Sequence, residues 1–205
     1  MSNHDLTRLL REWPFEPETP QVRLTTAEDG RTVLQVRVPL GLLQMELSGR
    51  PDGRPSAMDA LNPRDRETPL TIEESGAIRE EIHLYQQRAA ALLALGEAGE
   101  ALRDAEWCLA LTALLVDLSS SRAERRNGAR LRAHVLALRA RIVAMTAVRA
   151  GQPNAALRTV EQAIDEIRVE ARRAGLDPDV EARYELLALE SFRDALVPKL
   201  PSSQR

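Results

Sequence analysis

Aromatic side chains are scarce in this sequence: two Trp, two Tyr and two Phe, 3% of 205 residues. A core must therefore be built from Leu, Ala, Val and Ile, and no aromatics alternate with the arginines as base-stacking platforms do. One cysteine, Cys108, excludes an internal disulfide and a multi-cysteine metal site. Neither sign of charge dominates, since 28 basic and 31 acidic residues leave −3. That balance argues against a generally basic nucleic-acid binder. Long apolar runs are missing too: Trp107 to Val116 is interrupted by Thr112 and falls well short of the ~20 residues a bilayer demands. The opening Met1-Ser2-Asn3-His4-Asp5 is polar and leads into no apolar stretch, so no secretory leader is read. The expectation is a cytoplasmic protein with a reduced thiol and no membrane partner. Neither G-x-S-x-G, G-x-G-x-x-G nor a Walker lysine is present, which removes the commonest nucleophile and phosphate-loop signatures.

What is present, 43% apolar and 29% charged residues, is a soluble globular composition. After a short amphipathic segment, Asp5 to Glu12, Pro14, Pro17 and Pro20 force extended chain. The period then becomes two. Val22 and Leu24, then Leu34, Val36 and Val38, then Leu43, Met45 and Leu47 alternate with polar residues. Asp29-Gly30 supplies the positive φ of a hairpin turn, and Pro39-Leu40-Gly41 reverses the chain again. The pattern predicts a three-stranded antiparallel meander with one apolar face. Three strands do not bury that face alone, so it should dock on the helices that follow, with Trp13 and Phe15 as plugs. Gly49, Pro51, Gly53 and Pro55, then Pro63 and Pro69, mark a loop or linker.

From Thr71 the period is helical. Thr71 with Glu74 forms a capping box for a helix from Ile72 to Leu95, ended by Gly96. Further helices are expected over Glu100 to Leu118, Ala123 to Arg149, Pro153 to Ala174, and Asp179 to Leu196, broken by Ser119-Ser120-Ser121, Gly151 and Gly175. The fold class read is α+β, mainly α: a meander followed by five helices. Its divisions are an N-terminal helix and sheet at 1–55, a linker at 56–70, a helical domain at 71–198 and a tail at 199–205.

Two helical turns share one spacing. Gly96 is followed by Ala101, Cys108 and Leu109, and Gly151 by Ala156, Ala163 and Ile164 at the same offsets. Small residues there let antiparallel helices approach closely. This spacing resembles the tetratricopeptide (TPR) repeat, although the two glycines stand 55 residues apart against a repeat of ~34. More widely, Trp13-Pro14-Phe15, Leu40 to Glu46 and Gly49 to Pro55 resemble bacterial proteins carrying a UvrB/UvrC motif. In those proteins a small β region precedes TPR-like helices and a C-terminal UVR hairpin follows. The chain reaches Arg205 where that hairpin would begin, so the repair or adaptor role it implies is not carried over. The TPR resemblance implies a protein-binding groove.

Other constellations carry less. Glu80 and His83 have the E-x-x-H spacing of a di-metal helix, but His134 has Leu131 where a matching acid would stand. Cys108, between Trp107 and Leu109, reads as a packing thiol; as a nucleophile it would need a nearby base, for which His83 and His134 are the first candidates. The Gly49–Pro55 loop holds Asp52 between Arg50 and Arg54 and is either a tie between sheet and helices or a recognition loop. Eight arginines lie between Arg122 and Arg149, with Arg122, Arg126 and Arg130 on one stripe. They either bind phosphates or an acidic peptide, or pair with Glu161, Asp165, Glu166, Glu170 and Glu181.

The expected function is a non-catalytic protein-interaction scaffold that needs no cofactor or metal and takes a protein or acidic peptide. The residues expected to bind it are Arg122, Arg126, Arg130, Gln86, Gln87 and Arg88. The alternatives are a homo-oligomer paired through Leu186, Leu187, Leu189 and Phe192, and a nucleic-acid-associated regulator using the arginine-rich helix.

Overall fold

Alternating apolar residues in the N-terminal quarter pair as the pattern requires. In the computed structural model, which describes residues 6–61 and 68–197, β1 (Val22–Thr26), β2 (Thr32–Val38) and β3 (Gly41–Glu46) form an antiparallel sheet in the order β1-β2-β3. Leu24 faces Leu34, which faces Met45, and Val22 faces Val36, which faces Leu43. This places all six apolar side chains on one face. The first turn puts Gly30 at φ 85°. Residues 1–5, 62–67 and 198–205, which include part of the expected linker and the expected tail, lie outside the described residues.

The apolar face docks on α3 (Ile72–Leu95) and α4 (Ala98–Leu118). Leu34 and Met45 are buried with Ala89, Leu92, Leu93, Ala101, Ala105 and Ile142 in one cluster. Removing a Leu or Met side chain from water stabilises by about 1.5–3 kcal/mol, which explains why this small sheet needs its helical cover. Trp13 and Phe15, expected as plugs of that face, lie on the opposite one. The Arg23 guanidinium sits 4.1 Å from the Trp13 ring centre and that of Arg37 5.9 Å from Phe15. Arg23, Gln35 and Gln44 are cross-strand neighbours on this polar face and form a ladder of 3.0 Å hydrogen bonds. Cation–π attraction to two strand arginines outweighed burial as the fate of these rings.

The helical part is mainly two hairpins. α3 and α4 are joined at Gly96, while α5 (Arg122–Arg149) and α6 (Pro153–Arg173) are joined at Gly151. Both turns are Schellman caps: Glu97 N–H donates to Leu92 O at 2.9 Å, and Gln152 N–H to Ala147 O at 2.8 Å. Each glycine is left-handed, φ 91° and φ 72°. The capping box of Thr71 and Glu74 is formed as read. Ala101, Cys108 and Leu109 in one hairpin and Ala156, Ala163 and Ile164 in the other are all buried at the helix contacts.

Two details differ from the sequence reading. A short helix, α2 (Ala57–Leu61), stands in the stretch read as linker. Its first N–H, that of Ala57, finds an acceptor in a buried carboxylate of α3, which no local pattern announces. The last helix is divided into α7 (Pro178–Glu181) and α8 (Arg183–Leu196), with Ala182 at φ −120° between them. Leu186 and Leu189 of α8 are buried in this chain's own core and Phe192 packs against it. Of the side chains expected to pair copies, Leu187 alone is exposed.

Gly128 on α5 crosses α4 so closely that an added Cβ would lie 2.8 Å from Leu115 Cβ and 3.3 Å from its backbone carbon. Gly128→Ala should therefore destabilise the chain by about 1–3 kcal/mol, although alanine in a helix is normally favoured by roughly 1 kcal/mol. Urea denaturation checks the sign.

Candidate functional site

Two charged regions carry most of the polar chemistry, and they differ in what occupies their charges. The first lies where the Gly49–Pro55 loop meets α3 and α4. Arg88 is only 4% exposed. Its Nε and Nη2 donate to both oxygens of Asp104 at 2.8 and 2.7 Å, and its Nη1 to the carbonyls of Glu46 and Gly49 at 2.8 Å each. Its guanidinium also stacks 4.8 Å from the Tyr85 ring centre. Beside it, the wholly buried Glu81 accepts from Ser56 Oγ at 2.8 Å, Ala57 N–H at 2.6 Å and Trp107 Nε1 at 3.0 Å. Arg50 reaches Asp52 and Glu80 at 3.0 Å and Glu81 at 3.8 Å.

This arrangement resolves the loop in favour of the tie: Arg50 is buried and binds the loop to α3. It also corrects part of the expected binding set. Arg88 and Gln86 are buried, so neither head group is offered to a partner, and only Gln87 of that trio is exposed. The reason is helical phase, because α3 turns positions 85, 86, 88 and 89 inward towards α4 and the sheet. Glu80 of the E-x-x-H pair is engaged by Arg50, while His83 is exposed.

Cys108 belongs to this interior. Its thiol is 3.6 Å from the carbonyl of Ile82. Burial first, then the carboxylates of Asp104 and Glu81, push it up to about 12. A nucleophilic cysteine needs the opposite shift.

The second region lies at the turn between α4 and α5. Leu70 N–H donates to Leu118 O at 2.7 Å, and Ser120 Oγ to Leu70 O at 3.0 Å, which anchors the chain entering α3 to this turn. Here a cleft of about 300 Å³ is lined by Val116 of α4, by Arg122, Arg125 and Arg126 of α5, and by Arg173 and Ala174 of α6. Its apolar side adjoins a small cluster of Ala129, Ala171 and Leu176, packed by Val116 and Ala174. Arg125 donates to the carbonyls of Ser119 at 2.7 Å and Ser120 at 3.3 Å, so it caps the end of α4. Arg122 is exposed and has no ion pair among the described residues. Arg126 Nη2 lies 3.6 Å from Glu181, and its Nε–H is enclosed with no acceptor among the described residues.

Of the predicted stripe, then, Arg122 and Arg126 share a cleft while Arg130 does not. Arg130 donates to Glu181 at 2.7 Å and to Asn127 at 2.9 Å, and that bond holds the Glu181 carboxyl below its ordinary value. Arg132 pairs with Glu170 at 3.1 Å and Arg139 with Glu106 at 3.3 Å. Part of the arginine face is thus neutralised internally, by Glu170 and Glu181 of the acids expected to pair with it and by Glu106 of α4. Arg173 was missed in sequence. The signal was the antiparallel hairpin itself, which returns the end of α6 to the start of α5. A shallower, apolar depression of about 390 Å³, with Leu102, Ile142, Val143 and Ala147 among its walls, lies at the opposite end of these helices.

No protein-family model matches this sequence, and neither does any curated protein or solved structure. Among the described residues no helix is long and apolar enough to cross a membrane.

Arg88→Met alone should destabilise by about 3–5 kcal/mol, because Asp104 would remain buried and unpaired. Arg88→Met with Asp104→Leu should recover much of that loss, and urea denaturation of the four-member cycle measures it. Ellman's reagent should label native Cys108 at pH 8 far more slowly than the urea-unfolded chain. Because folding raises this thiol above its ordinary 9.0, its contribution to stability is complete below pH 9 and declines as pH rises from there towards about 12. Cys108→Ala should flatten that part of the stability profile.

Proposed function

We propose that this chain is a non-catalytic protein-interaction scaffold, a TPR-like pair of helical hairpins that captures an acidic segment of a partner protein at the α4–α5–α6 cleft. The observation that carries the reading is an excess of guanidinium groups. Arg126 and Arg130 share Glu181, Arg132 and Arg173 share Glu170, and Arg122 and Arg125 have no carboxylate among the described residues. Asp117, in the last turn of α4, is exposed and takes none of these pairs. Positive charge held in a concave site attracts an acidic ligand and raises its association rate. The matched turns at Gly96 and Gly151 support the TPR-like reading, since they stack four long helices into a rigid support for such a cleft.

Two features favour binding over catalysis. The thiol is enclosed and held protonated, and arginine does not exchange protons near neutral pH. The cleft is thus suited to hold charge and not to move protons.

The test is fluorescence anisotropy with a labelled oligoglutamate peptide. Binding should weaken as salt shortens the Debye length to about 8 Å. Arg122→Glu with Arg173→Glu should raise Kd by roughly tenfold or more, equivalent to about 1.4 kcal/mol. Binding unaffected by salt and by this double charge reversal would remove the proposal.

A further inference from the structure

We infer that the cleft is a pocket for a phosphate monoester, so that the acidic segment docks through a phosphorylated serine or threonine held by Arg122 and Arg126 of α5 and Arg173 of α6. The inference rests on the scaffold reading above and specifies its ligand. Three observations lead to it.

The first is the amount of charge. Four arginines line the cleft: Arg126 and Arg173 each share their carboxylate, Glu181 or Glu170, with an arginine outside it, and Arg122 and Arg125 have no carboxylate among the described residues. One further carboxylate from a partner would leave most of that excess uncompensated. A phosphoryl group brings a charge of about −1.5 to −2 and three acceptor oxygens, enough to engage two or three guanidiniums together.

The second is the state of Arg126. Its Nε–H is enclosed without an acceptor among the described residues, while its Nη2 reaches Glu181 only at 3.6 Å, beyond a good hydrogen bond. Nε and its neighbouring Nη form the edge that grips a phosphate in a fork. The side chain as a whole is 41% exposed, so a rotamer adjustment of the guanidinium would bring this unmatched edge to a ligand oxygen.

The third is the shape and lining. The cleft encloses about 300 Å³, with Val116 and Ala174 on its apolar side. Its cations are all arginines, whose planar fork discriminates tetrahedral oxyanions better than an ammonium does.

The experiment uses the full chain and three labelled peptides identical except at one site: phosphoserine, a pair of glutamates of comparable charge, or serine. Anisotropy should show the phosphopeptide binding roughly tenfold more tightly than the diglutamate peptide, with inorganic phosphate displacing it. Arg126→Ala should abolish the difference, and Arg122→Lys, which keeps the charge but loses the fork, should reduce it. Arg158→Ala, on the exposed surface of α6, should leave it unchanged. Circular dichroism confirms that each variant is folded. Equal affinity for phosphoserine and diglutamate peptides would overturn the phosphate assignment and leave the acidic-segment reading in place. Binding of neither would overturn both. A short single-stranded oligonucleotide bound more tightly than the phosphopeptide would overturn the inference in favour of a nucleic-acid backbone.

Discussion

The bidentate pair between Arg88 and Asp104 ties together elements from three parts of this fold. It links α3 to α4, and through the carbonyls of Glu46 and Gly49 it also holds the end of β3 and the loop beyond it. Removing two charges from water is costly, and their mutual attraction offsets that cost only where the geometry is good and the remaining donors are satisfied. Here four donor contacts of 2.7–2.8 Å and the face of Tyr85 meet that condition. The pair therefore acts less as a source of net stability than as a selector of one docking arrangement. An apolar sheet face could slide over a helix pair, whereas a buried guanidinium that must meet two named carbonyls cannot.

Glu81 does the same for the segment that follows. Its carboxylate takes the first backbone N–H of α2, the Ser56 hydroxyl and the Trp107 indole. Three elements distant in sequence are thereby fixed by one acid, with Arg50 near enough to balance its charge. Hydrogen bonds and ion pairs offset the cost of burying these carboxylates, whereas the Cys108 thiol has no such compensation: burial first, and then the neighbouring Asp104 and Glu81, keep it protonated. The surface cleft follows a different logic, in which arginines outnumber the carboxylates that reach them among the described residues.

The meander was legible because a one-residue slip would turn the alternating apolar set to the other face. Leu24, Leu34 and Met45 meet across the strands on one face, with Leu34 and Met45 buried and Leu24 at its open edge. The hairpin turns were legible because a left-handed residue after a long helix strongly favours glycine. Less visible was anything depending on a partner far along the chain. Helical periodicity marks Gln86 and Arg88 as polar positions, which ordinarily face water, and nothing local reveals Asp104 or the Glu46 carbonyl. The same holds for Trp13 and Phe15, whose aromatic character suggested a core plug until two strand arginines claimed them. Of the candidate site, the cluster of arginines could be seen but not which members are free, because Glu181 and Glu170 select Arg130 and Arg132 only once α6 and α7 fold back.

By itself, then, the sequence determined the class of fold, the order of its elements and the places where helices stop. Those depend on backbone preferences and on periods spanning a few residues, which act in any environment. Tertiary structure alone decided which charges are neutralised and which face outward. Coulombic pairing and desolvation depend on distances between residues tens of positions apart, and those distances exist only after the hairpins have stacked.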